Sequence, residues 1–470
     1  MNALKEKKLP IPKNELLFSN KALWVLIWPL LVETILQNTV GIADVFMVAS
    51  LGEAAVSGVS LVDSINILFI MIFSALATGG AVVCSQYIGN KNMKKAEETA
   101  RQLIYTVVLS AFILMTVLMV FHKPLLRITF GSIEDDVMYN ARIYFVITLL
   151  CFIPLALYDA CAALYRAQGN SRISMNVSFL VNGINIAGNA LLIYGFKRGV
   201  EGVAIPTLVS RIAGAVILMV KLHNQKGGEL CIKGLGHIHL DWSLISKILK
   251  IGIPTGLENS VFQFGKVVVL SLISSYGTIA IAANAAANTM ASLGIIPGQA
   301  IGIAMLTVIG QCIGAGRTDQ AVYYTKKLMG ITYAAMWMIN VPFVIFLRDI
   351  LGFYHLSPET TDLAYFMSIV HVASAMFIWP FSFTLPNSLR AANDAAFTMI
   401  VSMISMWTVR VGMSYVFKYT GCLGLLSYLG AASYYGAVGV WVAMIMDWCV
   451  RIVCFVVRFA GGKWKTRKLI

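Results

Sequence analysis

The sequence predicts an all-α integral membrane protein with twelve transmembrane helices in two parallel six-helix repeats. Hydrophobic residues fill 58% of 470 positions and charged residues 12%, with a mean hydropathy of +0.78. A soluble chain carries about a quarter charged residues, so this composition cannot cover a water-facing surface. Apolar runs of about 20 residues, enough to cross a bilayer as helix, recur along the chain. The second half also repeats the first at a nearly constant shift.

The runs lie near 22–49, 55–84, 102–121, 143–165, 174–196, 200–222, 248–275, 280–309, 328–347, 364–389, 397–417 and 432–457. Ahead of them, residues 1–21 form a polar tail with Lys5, Lys7, Lys8, Lys13 and Lys21 around Pro10 and Pro12. No short apolar core with a small-residue cleavage site precedes the first run. The expectation is therefore no cleaved signal peptide, with the first span directing insertion. Twelve spans put both termini on one side. Lys and Arg on that side outnumber those in the opposite loops several-fold, which predicts cytoplasmic termini in a multi-pass cell (plasma or inner) membrane. The net charge of +14 needs no nucleic-acid partner to explain it, because the basic residues flank the spans. The longest polar connection, Lys221 to Lys250, contains Gly227, Gly228, Gly234 and Gly236. The predicted domains are an amino-terminal lobe at 22–222, a cytoplasmic linker at 223–247, a carboxy-terminal lobe at 248–459 and a basic tail at 460–470.

A shift of 225 superimposes Pro29 on Pro254, Glu33 on Glu258, Gly52 on Gly277, Ala55 on Ala280, Gln86 on Gln311, Gly89 on Gly314 and Ala96 on Ala321. A shift of 224 superimposes Arg166 on Arg390, Ala167 on Ala391, Met175 on Met399 and Ser178 on Ser402. Each half has an even number of spans, so the repeats are parallel. Such an architecture places a substrate site between the halves and permits rocking between inward- and outward-open states.

Soluble-enzyme signatures are absent: no Gly-x-x-x-x-Gly-Lys-Ser/Thr loop, no Gly-x-Ser-x-Gly and no His-Glu-x-x-His. The eight cysteines (84, 151, 161, 231, 312, 422, 449 and 454) are scattered and form no Cys-x-x-Cys pair. Neither they nor the pair His237 and His239 predicts a disulfide framework or a resident metal. No cofactor and no enzymatic activity are expected.

Ionisable groups inside spans are costly and therefore mark function or pairing. The carboxylates are Glu33, Asp44, Asp63, Asp159, Glu258 and Asp447, and the cations are Arg211, Lys266, Arg410 and Arg451. Glu33, Gln37 and Asp44 form a polar stripe on the first helix, since eleven residues make about three turns. Asn189 and Thr207 fall at the depth of Asp44 in the fifth and sixth spans, with Asn185 one turn deeper. Their oxygens suit a hard cation such as sodium. A buried carboxylate can instead take up and release a proton, or the group can be a packing cluster. Glu33, Gln37, Asp63, Glu258 and Lys266 are candidates for a substrate cavity, or for local hydrogen bonds and pairs. Asp159 reads as a local helix contact. Asp447 and Arg451, four apart, read as an ion pair. Arg166 and Arg390 read as interface anchors.

Pro29, Asp44 within Gly-Ile-Ala-Asp-Val-Phe-Met-Val, and Leu51-Gly52 resemble the first-span signature of MATE (multidrug and toxic compound extrusion) transporters. Arg166-Ala-Gln-Gly169, Arg390-Ala-Ala-Asn393, Asn185 with Asn189, Thr207 after Gly202, and Gly436, Gly439, Trp441, Asp447 and Arg451 extend the resemblance over about residues 20–460. It implies a MATE-like bundle that exports organic, often cationic, small molecules against entering sodium ions or protons. It also implies Asp44 as the coupling carboxylate with Asn185 and Thr207 as ligands. The family usually has an aspartate where this chain has Asn189, which favours protons slightly. One branch has a glutamate where this chain has Phe262, which disfavours a cation site of that kind in the second lobe. A monomer in the lipid bilayer is expected. Acidic Glu33, Asp44 and Glu258, opposed by Lys266 alone, point to cationic cargo. A flippase of a lipid-linked precursor is the alternative and would need a strongly cationic cavity. A membrane-embedded enzyme would need a catalytic cluster that the spans lack.

Overall fold

Lipid offers the backbone no hydrogen-bond partners, so a chain this apolar satisfies its N–H and C=O groups within helices. The computed structural model describes residues 11–12, 15–131, 133–225, 230–236, 239–420, 436–467 and 469–470, and no strand occurs among them. Lys5, Lys7, Lys8, Pro10, Lys13, Gly227, Gly228, His237 and Cys422 lie outside the described residues.

The first half contains α1 (Asn20–Ala49), α2 (Glu53–Gly89), α3 (Met93–Phe130), α4 (Asp135–Leu150), α5 (Phe152–Ala167), α6 (Arg172–Ala190) and α7 (Glu201–His223). The second contains α8 (Trp242–Ser274), α9 (Thr278–Gly294), α10 (Ile296–Gly314), α11 (Thr318–Ile345), the short α12 (Leu347–Gly352), α13 (Pro358–Trp379), α14 (Leu385–Ala391), α15 (Ala395–Ile404), α16 (Gly412–Thr420) and α17 (Val438–Ala460). Ten helical spans among the described residues are long and apolar enough to cross a membrane. The pair α4–α5, bent by 46°, makes eleven. Helix α8 is 33 residues long, but Glu258, Asn259, Gln263 and Lys266 interrupt its apolar surface. The eighth predicted run is divided into α9, 17 residues, and α10.

The two lobes grip each other symmetrically. Helix α1 packs on α6 of its own lobe and on α10 of the other, and α8 packs on α15 of its own lobe and on α2 of the other. Helices α2 and α10 also cross each other. At that crossing a Cβ on Gly89 would collide with the Gln311 carbonyl, and one on Gly314 with the Gln86 carbonyl. Only glycine permits this approach. Gly52 and Gly277 cap the starts of α2 and α9 with φ of 100° and 97°, a region open to glycine and strained for other residues.

The segment read as a linker runs along the first lobe rather than free of it. Leu230 and Ile232 are fully buried, Gln102 Nε2 donates to the His239 carbonyl at 2.7 Å, and the Leu230 N–H donates to Gln168 Oε1 at 3.0 Å. The segments next to both chain ends pack on the second lobe, and the last residues, Leu469 and Ile470, reach the core of the first. Tyr324 exchanges hydrogen bonds with the Phe18 backbone, and Trp464 stacks on Phe459 at 5.2 Å.

Candidate functional site

Asp44, near the end of α1, is half-buried and faces α6. Asn189 Nδ2 donates to Asp44 Oδ1 at 2.7 Å and lies 3.3 Å from Asn185 Oδ1. Asn185 Nδ2 donates to Thr207 Oγ1 at 2.9 Å. The four predicted coupling residues therefore form one chain of hydrogen bonds across α1, α6 and α7. No described Lys or Arg pairs with Asp44. Asp63 of α2 shares a cavity of about 110 Å³ with it and accepts from Tyr144 Oη at 3.2 Å. A carboxylate facing amides, a second acid and a small cavity keeps a site that an entering ion can fill.

Glu33 also faces α6, accepting from Ser174 Oγ at 3.0 Å. Its other oxygen lies 3.5 Å from Arg166 Nη1. The second lobe repeats this arrangement: Glu258 pairs with Arg390 at 2.7 Å and accepts from Ser402 at 2.7 Å. Arg166 and Arg390 are thus not the interface anchors the sequence predicts. A carboxylate buried on the neighbouring helix needs a counter-charge, and this outweighs reaching for water. Glu33 and Gln37 line neither the Asp44 cavity nor the second-lobe cavity described next: Glu33 is buried in its pair, and Gln37 is exposed without a hydrogen bond among the described residues. Asp159 is half-buried and likewise has no hydrogen bond among the described residues, so no local contact of that kind holds it.

The second lobe holds a cavity of about 320 Å³ in which Glu258 and Lys266 meet Arg390, Arg410 and Arg451. Aromatic walls enclose it: Trp379 stacks on Phe383 at 5.0 Å, and His371 lies edge-on to Trp441 and Trp448. Arg451 Nε donates to Asp447 Oδ1 at 2.9 Å, as the spacing of four predicts. Asn288 and Ser292 border this cavity and also a cleft of about 780 Å³ between the lobes, which α1 lines with Asn38, Gly41 and Val45.

The reading of Lys266 as the lone opposing cation is corrected here. Glu33 and Glu258 are each neutralised by an arginine, and Lys266 shares its cavity with three more cations. Sequence reasoning missed this cationic aromatic chamber. The signal was available in the charge count of the second half, where Lys266, Arg390, Arg410 and Arg451 face only Glu258 and Asp447. Local structure completes it. Helical irregularities of the wide, π-type form occur at Pro380–Thr384 and Ser405–Val411, and they carry Phe383 and Arg410 to the cavity wall.

At the end of the bundle opposite Asp44, the lobes are clasped. Gln86 Nε2 donates to the Ala391 carbonyl and to Asn393 Oδ1, both at 2.8 Å, and Gln311 Nε2 donates to the Ala167 carbonyl at 2.7 Å.

The MatE family model matches this chain twice, over residues 29–191 and 254–416, in register with the internal repeat. The uncharacterized transporter YisQ of Bacillus subtilis is 28% identical over 97% of this chain and 96% of its own length. The probable multidrug resistance protein NorM of Thermotoga maritima is 26% identical over 98% of this chain and 96% of its own. A transporter of the MOP superfamily from Pyrococcus furiosus shares the fold, with a TM-score of 0.83 at 18% identity over 94% of this chain and 95% of that one. A double match spanning both helical lobes shows that the chain belongs to the MatE family of multidrug efflux transporters and is a membrane transporter, not an enzyme.

Proposed function

We propose that this chain is an antiporter that exports organic small molecules by alternating access, driven by an ion that enters at Asp44. The carrying observation is that Asp44 lies inside a span with Asn189 as its hydrogen-bond partner and in no ion pair among the described residues. A carboxylate held this way changes charge when an ion arrives, and so can bias two arrangements of the lobes. Protons fit better than sodium ions: Asn189 is an amide rather than a second carboxylate beside Asp44, and Asp63 supplies a second acid in the same cavity. The clasp at Gln86 and Gln311 and the cleft at the other end make this an outward-open state if the termini are cytoplasmic, as the distribution of basic residues supports. One chain supplies both lobes and the cleft, so a monomer suffices.

The test is dye uptake into everted vesicles under imposed proton or sodium gradients, comparing the parent with Asp44→Asn. The parent should respond to the proton gradient and the variant to neither. Equal transport by the two would remove Asp44 from the mechanism, and drive by sodium alone would reassign the ion. A second reading, movement of a lipid-borne anion, is favoured by the surplus of cations in the second-lobe cavity.

A further inference from the structure

We infer that the second-lobe cavity binds an organic anion, a flat aromatic body bearing a carboxylate, sulfonate or phosphate. This deepens the export reading by naming a class of cargo. It depends on that reading for transport, not for binding.

The first observation is charge. Lys266 Nζ, Arg410 Cζ and Arg451 Cζ stand 5.2, 5.5 and 5.3 Å from the centre of the single Phe262 ring. Of the three, Arg451 alone has a carboxylate in an ion pair, Asp447. Arg390 on the same cavity is matched by Glu258. Lys266 and Arg410 form no ion pair among the described residues, which leaves two positive charges in surplus. The face of one aromatic ring attracts cations only weakly compared with a carboxylate. Like charges gathered in a weakly polar site repel each other until an anion joins them.

The second observation is hydrogen bonding. Arg390 Nε, Arg410 Nε and Trp448 Nε1 are buried and have no acceptor among the described residues, and all three residues line this cavity. Arg410 is 8% exposed and Trp448 2%, so neither donor is satisfied by open solvent. Buried donors without acceptors are rare. Their clustering calls for a ligand rich in acceptors, which is the character of an oxyanion. Two further buried atoms here lack partners, the acceptor Asp447 Oδ2 and the ring nitrogen His371 Nδ1, so the donors remain in the majority.

The third observation is shape. A volume of about 320 Å³ falls at the small end of ligand pockets. The walls of Trp379, Phe383, Trp441 and Trp448 favour a flat ring system that stacks. Asn288 and Ser292 connect the cavity to the cleft between the lobes, which gives a ligand an approach.

The test is calorimetric titration of the full chain in nanodiscs without any ion gradient, using naphthalenesulfonate and its cationic counterpart naphthyltrimethylammonium. The anion should bind the parent roughly tenfold or more tightly than the cation. Lys266→Met and Arg410→Met should each weaken the anion roughly tenfold, and Lys266→Arg should restore it. The comparison of the two probes on the parent needs no variant to fold. Equal or tighter binding of the cation overturns the proposal, as does unchanged anion affinity in both methionine variants. Nanodiscs of phosphatidylcholine alone, compared with a mixture containing phosphatidylglycerol, separate two sources of the same chemistry. Unchanged affinity assigns the site to free anions, and competition assigns it to lipid headgroups. Because no gradient is applied, failure of Asp44 as the coupling group leaves this result unaffected.

Discussion

Asp447 and Asp44 are both acids inside spans, and their surroundings separate them. Asp447 is fully buried, bound to Arg451, and joined to Ser405, which donates to the same oxygen. Asp44 has amides and a cavity instead. Removing one partner of a buried pair leaves the other charge bare, so Arg451→Met should cost about 3–5 kcal/mol in denaturant unfolding in mild detergent. The double variant with Asp447→Asn should recover much of that loss. An additive double variant would show that the two charges do not support each other. The Asp447–Arg451 pair was legible in the sequence because residues four apart share a helix face. The pairs Glu33–Arg166 and Glu258–Arg390 were not, because their partners lie 133 and 132 residues apart. Yet both members recur at shifts of 225 and 224, and that symmetry could have coupled them. The Asp44 cluster was legible by depth along three spans, although spacing alone could not reveal that Asn189 donates.

Helices followed from apolar runs almost throughout, because lipid leaves the backbone no alternative. Their breaks were less visible. The run at 143–165 reads as one span, and the chain bends by 46° within it, between α4 and α5, next to Pro154. Proline in a helix removes a backbone donor and crowds the preceding turn, yet its effect on direction depends on what packs against it. The π-type segments beside Phe383 and Arg410 have no clear periodic signal, so the cavity they shape was hidden. Glycines, in contrast, mark elements closely. Gly277→Ala places a side chain at φ of 97° and should cost about 1–3 kcal/mol, read as a lower unfolding midpoint. Gly41→Ala, which meets open space, serves as the control and should change little. Similar losses in both variants would remove backbone strain as the cause.

At the scale of the molecule, the repeats are equal in architecture and unequal in charge. The first lobe keeps Asp44 and Asp63 free of ion pairs among the described residues, and the second keeps Lys266 and Arg410 so. The repeat was legible in the sequence, but this asymmetry was not, because it depends on which charges cancel. The seal between the lobes rests on Gln86 and Gln311, and Ser85 lies inside it against Gly310. Gln86→Ala with Gln311→Ala should raise maleimide labelling of a Ser85→Cys reporter several-fold over the same reporter alone, after subtraction of the native cysteines. Unchanged labelling would show that these amides do not hold the lobes together. The bonds of this seal run from amide nitrogens to carbonyl oxygens, none of them titratable. Acid and salt therefore have little purchase on these amides, whereas beside them Lys247 Nζ of α8 donates to Tyr87 Oη of α2 at 2.9 Å, a charged bond between the lobes. Helix α1 holds Asp44 near one end and leans on α10 with the other, through Leu23, Leu26, Ile27 and Leu30. A helix of 30 residues is about 45 Å long, so a single element joins the face of the bilayer that holds the acid to the face that is sealed.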